Sequence, residues 1–318
     1  NPVKGQVWYN TTAGVLKVAG AGTWSSQAST TRSGIGSAAA GTTSASFITA
    51  GKTSGPGSPP VATQAYTEEF DGTAWTNSND QLVGRRHCGQ GGGTQTAGII
   101  CGGYAPPSDA FNNTVGLYDG TSWTTGSAMP IYMAGQFNAT AGTQTAFYTT
   151  GVGSTPGSAP HTPQTTIELN GTTWSSTNPM SRTPTPTRKF GGAAGAQTTG
   201  LAFGGAGAVT SSESYDGSSW SSTPALTTPY GSNAGSGTQT AAICAGGYTS
   251  GYPVVVNGYN GSSWTALASM SQGREHAGAC GQAGNMLIAG GSKGVTDVVN
   301  FACEEYSDPT TTTITTST

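Results

Sequence analysis

Six tryptophans stand at 24, 75, 123, 174, 220 and 264, at intervals of 51, 48, 51, 46 and 44 residues. Five of them close a recurring hexapeptide: FDGTAW (70–75), YDGTSW (118–123), LNGTTW (169–174), YDGSSW (215–220) and YNGSSW (259–264). A second element alternates with it: GTTSASFITAG (41–51), GTQTAGIICGG (93–103), GTQTAFYTTGVG (142–153), AQTTGLAFGG (196–205), GTQTAAICAGG (237–247) and AGNMLIAGG (283–291). A fixed period of this length means an array of like supersecondary units, so a chain of 318 residues need not divide into two ordinary domains.

Each repeat reads as a small sheet. GTQT is a polar, Gly-containing turn between two short strands. The run after it, such as AGIIC or AAICA, is small and apolar on both faces, which suits a strand covered on both sides. The Gly-Gly that closes the run lets backbones approach where a side chain would clash. Asp-Gly or Asn-Gly then makes a tight turn, and Trp opens an outermost strand where its bulk wedges between neighbouring units. Only 8% of the residues are charged, yet 27 aromatic residues (7 Trp, 12 Tyr, 8 Phe) recur at regular intervals, which favours an ordered all-β chain over disorder.

Gly-Gly, an aromatic and then Trp within about 50 residues resembles the kelch motif. Gly102-Gly103/Tyr118/Trp123, Gly204-Gly205/Tyr215/Trp220 and Gly246-Gly247/Tyr259/Trp264 fit it best, and GRRH (84–87) and GREH (273–276) resemble the Arg-x-x-His before a kelch repeat's first strand. The repeats around 50 and 151 lack the double Gly, and Leu169 replaces the Tyr. The resemblance implies a kelch-like β-propeller of six blades, each with four antiparallel strands. The last repeat lacks a following Trp, and Trp24 lacks a preceding hairpin. Both facts are met if the Trp24 strand completes the last blade and closes the ring. The rival is a seven-bladed ring that uses QVWYN and VLKV as extra strands. The Thr-rich end, TTTTITTST, is β-prone and offers another way to complete the last blade. The expected organisation is lead-in strands over 1–23, the ring over 24–308, and a Thr-rich tail or strand over 309–318.

The chemistry on offer is thin. The formal net charge of −3 supplies no basic footprint for phosphates, so a nucleic-acid partner is disfavoured. No apolar run approaches the roughly 18 residues of a membrane span, and the opening NPVKGQ reads without a leader. Five cysteines (88, 101, 244, 280, 303) show no CxxC spacing, which argues against a zinc site or a disulfide framework. Cys88 and Cys101 are equidistant from the GGTQTA turn. They read as two small buried side chains, with a cross-strand disulfide as the alternative.

His87 and His276 hold equivalent repeat positions and read as structural, and His161 stands alone in a Pro-rich stretch. Galactose oxidase, which also uses a kelch-type propeller, needs a copper site of two Tyr, two His and a crosslinked Cys; sialidase-type propellers need an arginine triad and paired acids. Neither set is evident. Asp71, Asp119 and Asp216 sit in the turn hexapeptides and Glu68, Glu69, Glu168 and Glu213 in the adjoining strands, so turn capping explains the Asp better than acid–base work. No catalytic residue, metal or cofactor is expected. Five sequons (Asn10, Asn112, Asn138, Asn170, Asn260) read as composition and turn chemistry.

Antiparallel four-stranded blades place their first and third turns on one face, and their second turn and the inter-blade link on the other. The first and third turns here are short and uniform. The other connections are long and different each time, as in YAPPSDAFNN (104–113) and PALTTPYG (224–231). Recognition usually lives on variable loops held by a rigid scaffold, and Tyr104, Phe111, Tyr132, His161, Tyr230, Tyr248 and Tyr252 are the candidate binding residues. The opening KGQVWYNTTAGVLKV resembles a segment of tail-fibre and other virion proteins of bacteriophages, and GTQTA…GG with YDGTSWT is similar to Gly/Thr-rich propellers of marine tailed phages. That resemblance implies a non-enzymatic virion structural or appendage protein within a larger assembly. Its partners would be other virion or appendage proteins, and a host-surface glycan or receptor. The alternatives are a secreted adhesin or lectin-like propeller and, less favoured, a glycan-active or oxidase propeller.

Overall fold

The computed structural model describes residues 7–12, 14–19, 22–32, 34–53, 62–106, 110–154, 162–180, 191–205, 208–293, 298–308 and 311–314. Six four-stranded antiparallel sheets, or blades, follow one another around a central axis. The first is Ala38–Gly41, Ser46–Thr49, Thr67–Phe70 and Trp75–Ser78. The second is Gly92–Thr94, Ala97–Cys101, Val115–Tyr118 and Trp123–Thr125. The third runs Tyr132–Gly142, Ala146–Ser154, Thr162–Asn170 and Thr173–Thr177. The fourth is Gly192–Ala196, Thr199–Phe203, Ser212–Tyr215 and Trp220–Thr223. The fifth is Ala234–Thr238, Ala241–Ala245, Val256–Tyr259 and Trp264–Leu267.

The sixth blade takes three strands from the carboxy-terminal end, Gly278–Cys280, Asn285–Ala289 and Cys303–Ser307, and its outer strand, Thr23–Gln27, from the other end. Trp24 lies opposite Tyr306, the same register as Phe70–Trp75, Tyr118–Trp123, Leu169–Trp174, Tyr215–Trp220 and Tyr259–Trp264. The amino-terminal strand therefore closes the ring, and the seven-bladed alternative is excluded. QVWYN and VLKV contribute instead to a separate three-stranded sheet, in which Val15–Ala19 lies between Val7–Asn10 and Thr311–Ile314. The Thr-rich end thus pairs with the lead-in hairpin rather than completing the last blade.

The core is divided among the seams. Each of six apolar clusters draws its members from two adjacent blades, down to the closing seam where Ile48, Phe70 and Trp75 of the first meet Cys280, Leu287 and Cys303 of the last. A blade covered on both faces needs second strands with apolar runs, as GIIC and MLIA are. Each tryptophan packs back onto the preceding blade. Trp123 stacks on Tyr118 at 4.8 Å, meets Phe47 of the first blade edge-on at 5.6 Å, and donates its Nε1–H to Thr67 Oγ1 at 2.9 Å. Trp220 repeats this against Tyr215, Tyr148 and Thr166 two seams further on.

The glutamine of GTQT is a second seam element, and the sequence reading of a bare polar turn missed it. Gln95 Nε2 donates to Ser46 O and Phe70 O, Gln144 Nε2 to Gly98 O and Tyr118 O, and Gln239 Nε2 to Gly200 O and Tyr215 O. Each bridges two carbonyls at one paired position of the preceding blade, satisfying groups that a sheet end would otherwise leave unpaired.

The Asp of each hexapeptide is held by its own turn. Asp71 Oδ1 accepts from Thr73 N and Ala74 N at 2.8 Å, and Asp119 and Asp216 accept from the equivalent backbone groups. The Thr73 hydroxyl, then the Ala74 and Thr73 amides, hold the Asp71 carboxyl down to about 2, and backbone donors lower Asp119 and Asp216 likewise. A carboxyl whose folded value lies below its unfolded value adds stability above the unfolded value and loses it as pH falls through the folded one. The thermal midpoint is therefore expected to drop as pH falls from the ordinary 3.8 towards about 2. The triple variant D71N/D119N/D216N, which copies the native Asn260 turn, should show a flatter dependence over that window. An unchanged slope would remove these turns from the acid response.

All five cysteines are free and buried. The register Gly92↔Ile99 puts the position facing Cys88 two residues beyond Cys101, so the pair is not cross-strand. Burial pushes the Cys88 thiol up to about 11 and Cys101 to about 12, which leaves both protonated and unreactive.

Candidate functional site

The two ends of the ring differ as the loop lengths require. On one, the first and third turns of a blade touch: a Cβ added to Gly72 or Gly120 would lie within 3.4 Å of Ser44 or Thr96. On the other, two links are zipped between second-turn loops by short bridges, Gln64↔Arg85 with Arg86↔Tyr104, and Val209↔Tyr230 with Gly231↔Tyr248. Gly103, at φ +91°, permits the first of these, since a Cβ there would stand 2.7 Å from Arg86 O.

At this loop face the main chains that enter the first, second, fifth and sixth blades draw together around the central axis. Gly36, His87, Ser232 and His276 occupy equivalent positions just before their inner strands, and all have positive φ. Main-chain bonds run around the mouth from His87 N to Gly36 O, Gly36 N to His276 O and His276 N to Ser232 O. The His87 and His276 rings meet edge-on at 4.9 Å across Gly36, where a Cβ would collide with the imidazole of His87. Burial first, then His276, Arg86 and Lys52, hold His87 well below the ordinary histidine value, so it is neutral. Deeper in, Gln90 crosses the axis: its Nε2 donates to Gly235 O, its Oε1 accepts from Ala193 N at 2.8 Å, and its carbonyl accepts from Thr140 Oγ1. Beyond Gln90 a cavity of about 180 Å³ opens toward the turn face, lined by small inner-strand residues of all six blades. Gln90 thus ties the second blade to the third, fourth and fifth across the axis.

The candidate residues fall into distinct groups. Tyr104 and Phe111 form a small two-stranded hairpin with rings 5.0 Å apart; Arg86 lies 4.4 Å from the Tyr104 centroid, and His87 lies 6.1 Å from it on the axial side. Tyr248 and Tyr252 make a second pair at 5.8 Å, with Tyr248 44% exposed. Tyr132 is half-buried and pairs with Ser154 at the start of the third blade. His161 lies outside the described residues.

Tyr230 needs correction as a binding residue, because it is fully buried. It stands two residues before Ser232, as Arg85 and Arg274 stand before His87 and His276. Its hydroxyl donates to Val255 O and accepts from Asn257, as Arg274 engages Ala302 O and Glu304. The loop face also exposes Leu82, Val83, Val298 and Phe301, which were not singled out because isolated apolar residues in loops carry no sequence signal.

The acids of the third strands have structural partners. Glu68 accepts from Thr31 N and Arg32 N, and Glu304 from Ser271 N and Arg274, so both hold inter-blade links. Glu69 accepts from the Tyr118 hydroxyl. Among the described residues no three His, Cys, Asp or Glu side chains converge to hold a metal.

No family model and no curated protein matches the chain. Among solved structures, that of YjhT superposes with a TM-score of 0.66 over 87% of this chain and 96% of its own, at 14% identity. The chain is a six-bladed, kelch-like β-propeller. At that identity the likeness carries the fold alone. The propeller's loop face, with its two aromatic pairs and exposed apolar residues, is the surface that differs from blade to blade.

Proposed function

We propose that this propeller is a non-enzymatic appendage protein of a tailed-bacteriophage particle, and that its variable-loop face contacts a host-surface glycan or protein. The observation that carries the recognition half is the Tyr248–Tyr252 pair, a half-exposed aromatic platform on the variable face. Aromatic faces bind sugars and protein side chains by stacking at little conformational cost. The acids of the turns and third strands serve the scaffold, which supports a role without acid–base chemistry. The virion half rests on the resemblance of the opening segment, which forms a sheet with the carboxy-terminal strand and does not add to the ring. A secreted adhesin or lectin is the second reading, since the same aromatic pair suits it equally.

Mass spectrometry of purified particles should find the chain, and its absence from them would overturn the virion reading. On a glycan array or a host-surface preparation, Tyr248→Ala and Tyr252→Ala should each weaken binding roughly two- to tenfold, the loss of an aromatic contact of about 0.5–1.5 kcal/mol. The thermal midpoint should barely move for the exposed Tyr248. Unaltered binding by both variants would remove this platform from recognition.

A further inference from the structure

The chain contains three Asn-Gly dipeptides, at 170–171, 257–258 and 260–261. In such a pair the unhindered glycine nitrogen can attack the Asn side chain, and the three sites differ in what the fold does to that attack. Asn257 is fully buried in the third strand of the fifth blade. Its Oδ1 takes Thr227 N at 2.9 Å and its Nδ2 donates to the Tyr230 hydroxyl at 3.0 Å, so it is dry and fixed. Asn170 is exposed, but its nucleophile is engaged, since Gly171 N donates to Thr145 O at 2.7 Å; its Oδ1 takes one side-chain donor, Gln197 Nε2 at 3.1 Å, and among the described residues no backbone donor.

Asn260 is different. Asn260, Gly261 and Ser262 are all solvent-accessible, Gly261 has φ +89°, and among the described residues its N–H has no acceptor. Asn260 Oδ1 meanwhile accepts from Ser262 N at 3.0 Å and Ser263 N at 2.9 Å, with the Ser262 hydroxyl at 2.9 Å and the Ser263 hydroxyl at 3.4 Å. Those donors surround the oxygen on which negative charge grows when Cγ is attacked, which is the arrangement that lowers the barrier to acyl transfer.

We propose that Asn260 is a site of spontaneous main-chain-assisted deamidation. Hydroxide removes the Gly261 amide proton, and the nitrogen forms a bond to Asn260 Cγ. The Cγ–Nδ2 bond breaks, ammonia leaves after taking a proton from water, and a five-membered succinimide remains. Water then opens the ring at either carbonyl to leave an aspartyl or an isoaspartyl residue at this position, with no oxidation or reduction at any step. The aspartyl product fits the site, because Asp71, Asp119 and Asp216 hold the same turn through the same two backbone donors. The isoaspartyl product adds a methylene to the main chain between Tyr259 and Trp264, whose pairing sets the outer strand. Either product makes the formal net charge one unit more negative than −3.

The test is peptide mapping of the folded full-length chain during incubation in mildly alkaline heavy-oxygen water, with isoaspartyl methyltransferase labelling as a second readout. The peptide carrying Asn260 should convert roughly tenfold faster than that carrying Asn170, taking up one solvent oxygen, while Asn257 stays intact. In denaturant Asn170 and Asn260 should react at similar rates, which isolates the contribution of the fold. N260D should keep the wild-type thermal midpoint and abolish the fast phase. Conversion of Asn170 as fast as Asn260 in the folded chain, or an Asn260 peptide that stays unmodified, would overturn the proposal.

Discussion

Arg274→Ala should lower unfolding stability by about 3–5 kcal/mol, the cost of leaving a buried carboxylate without its partner. Arg274 is fully buried and Glu304 3% exposed, with Nη2 2.5 Å from Oε1. The second guanidinium nitrogen donates to Ala302 O, and the other carboxylate oxygen accepts from Ser271 N at 2.7 Å. Burial lowers the Arg274 pKa and the Glu304 carboxylate opposes that shift. Without the guanidinium, Glu304 keeps only the Ser271 amide in a dry site. A urea titration should show the loss directly. Arg85 provides a control within the same molecule. It stands at the equivalent place in the second blade, is also buried, and among the described residues donates to Thr114 O and Gly102 O and to no carboxylate, because Gly116 occupies the position of Glu304. Arg85→Ala strands carbonyls and no charge, so its cost should be smaller, about 1–3 kcal/mol. The double variant R274M/E304Q, which keeps an acceptor for Ser271 N, should recover part of the loss. A cost for Arg274→Ala no larger than that for Arg85→Ala would refute the buried-pair account.

The Arg and His of GRRH and GREH also show what a linear reading reaches. The blade count, the closing strand and the turn role of Asp119 were legible because they depend on period, on alternation and on a two-residue turn, all of which are local. The partners of Gln95 and Gln239 were not, because a seam joins residues from different repeats and no single repeat contains it. Only the recurrence of Gln, which turn chemistry does not require, hints at that staple. Tyr230 misled for a related reason. Pro229-Tyr230-Gly231 has the composition of an exposed loop, yet aligned on the inner strands it fills the place of Arg274 and is buried like it. The closeness of His87 and His276 follows only from ring closure, which sets the second and sixth blades on either side of the first. The variable face was legible as a place, from loop lengths alone. Its aromatic pairs were not, since Tyr104 meets Phe111 through a hairpin the sequence does not announce.

Removing residues 1–27 should destabilise the propeller by at least the cost of deleting a buried tryptophan, about 3–5 kcal/mol, and should make it prone to self-association. The truncation takes the outer strand from the sixth blade and uncovers the edge of Cys303–Ser307, a row of backbone groups ready to pair with another chain. It also takes Trp24 from the seam with the fifth blade, where the indole lies 5.5 Å from Tyr306 and its Nε1–H reaches Ala268 O at 2.8 Å. Trp24→Ala alone should fall at the lower end of that range, since the ring is only half-buried. Register supplies the rescue. Trp24 faces Tyr306 as Trp123 faces Tyr118, so the Asp-Gly-Thr-Ser turn of residues 119–122 is the right length to join them. A chain that begins at residue 28 and continues from Tyr306 through Asp-Gly-Thr-Ser into a copy of residues 24–27 has a sixth blade built like the second. Size-exclusion chromatography and urea titration should show that permuted ring monomeric and within about 1 kcal/mol of the full chain, as expected when a closure is moved and its contacts kept. If the truncated chain unfolds at the same urea concentration as the full one, the Thr23–Gln27 strand does not hold the ring. If the truncation destabilises and the permutant does not recover, the shared register of the six blades is not what sets the closure.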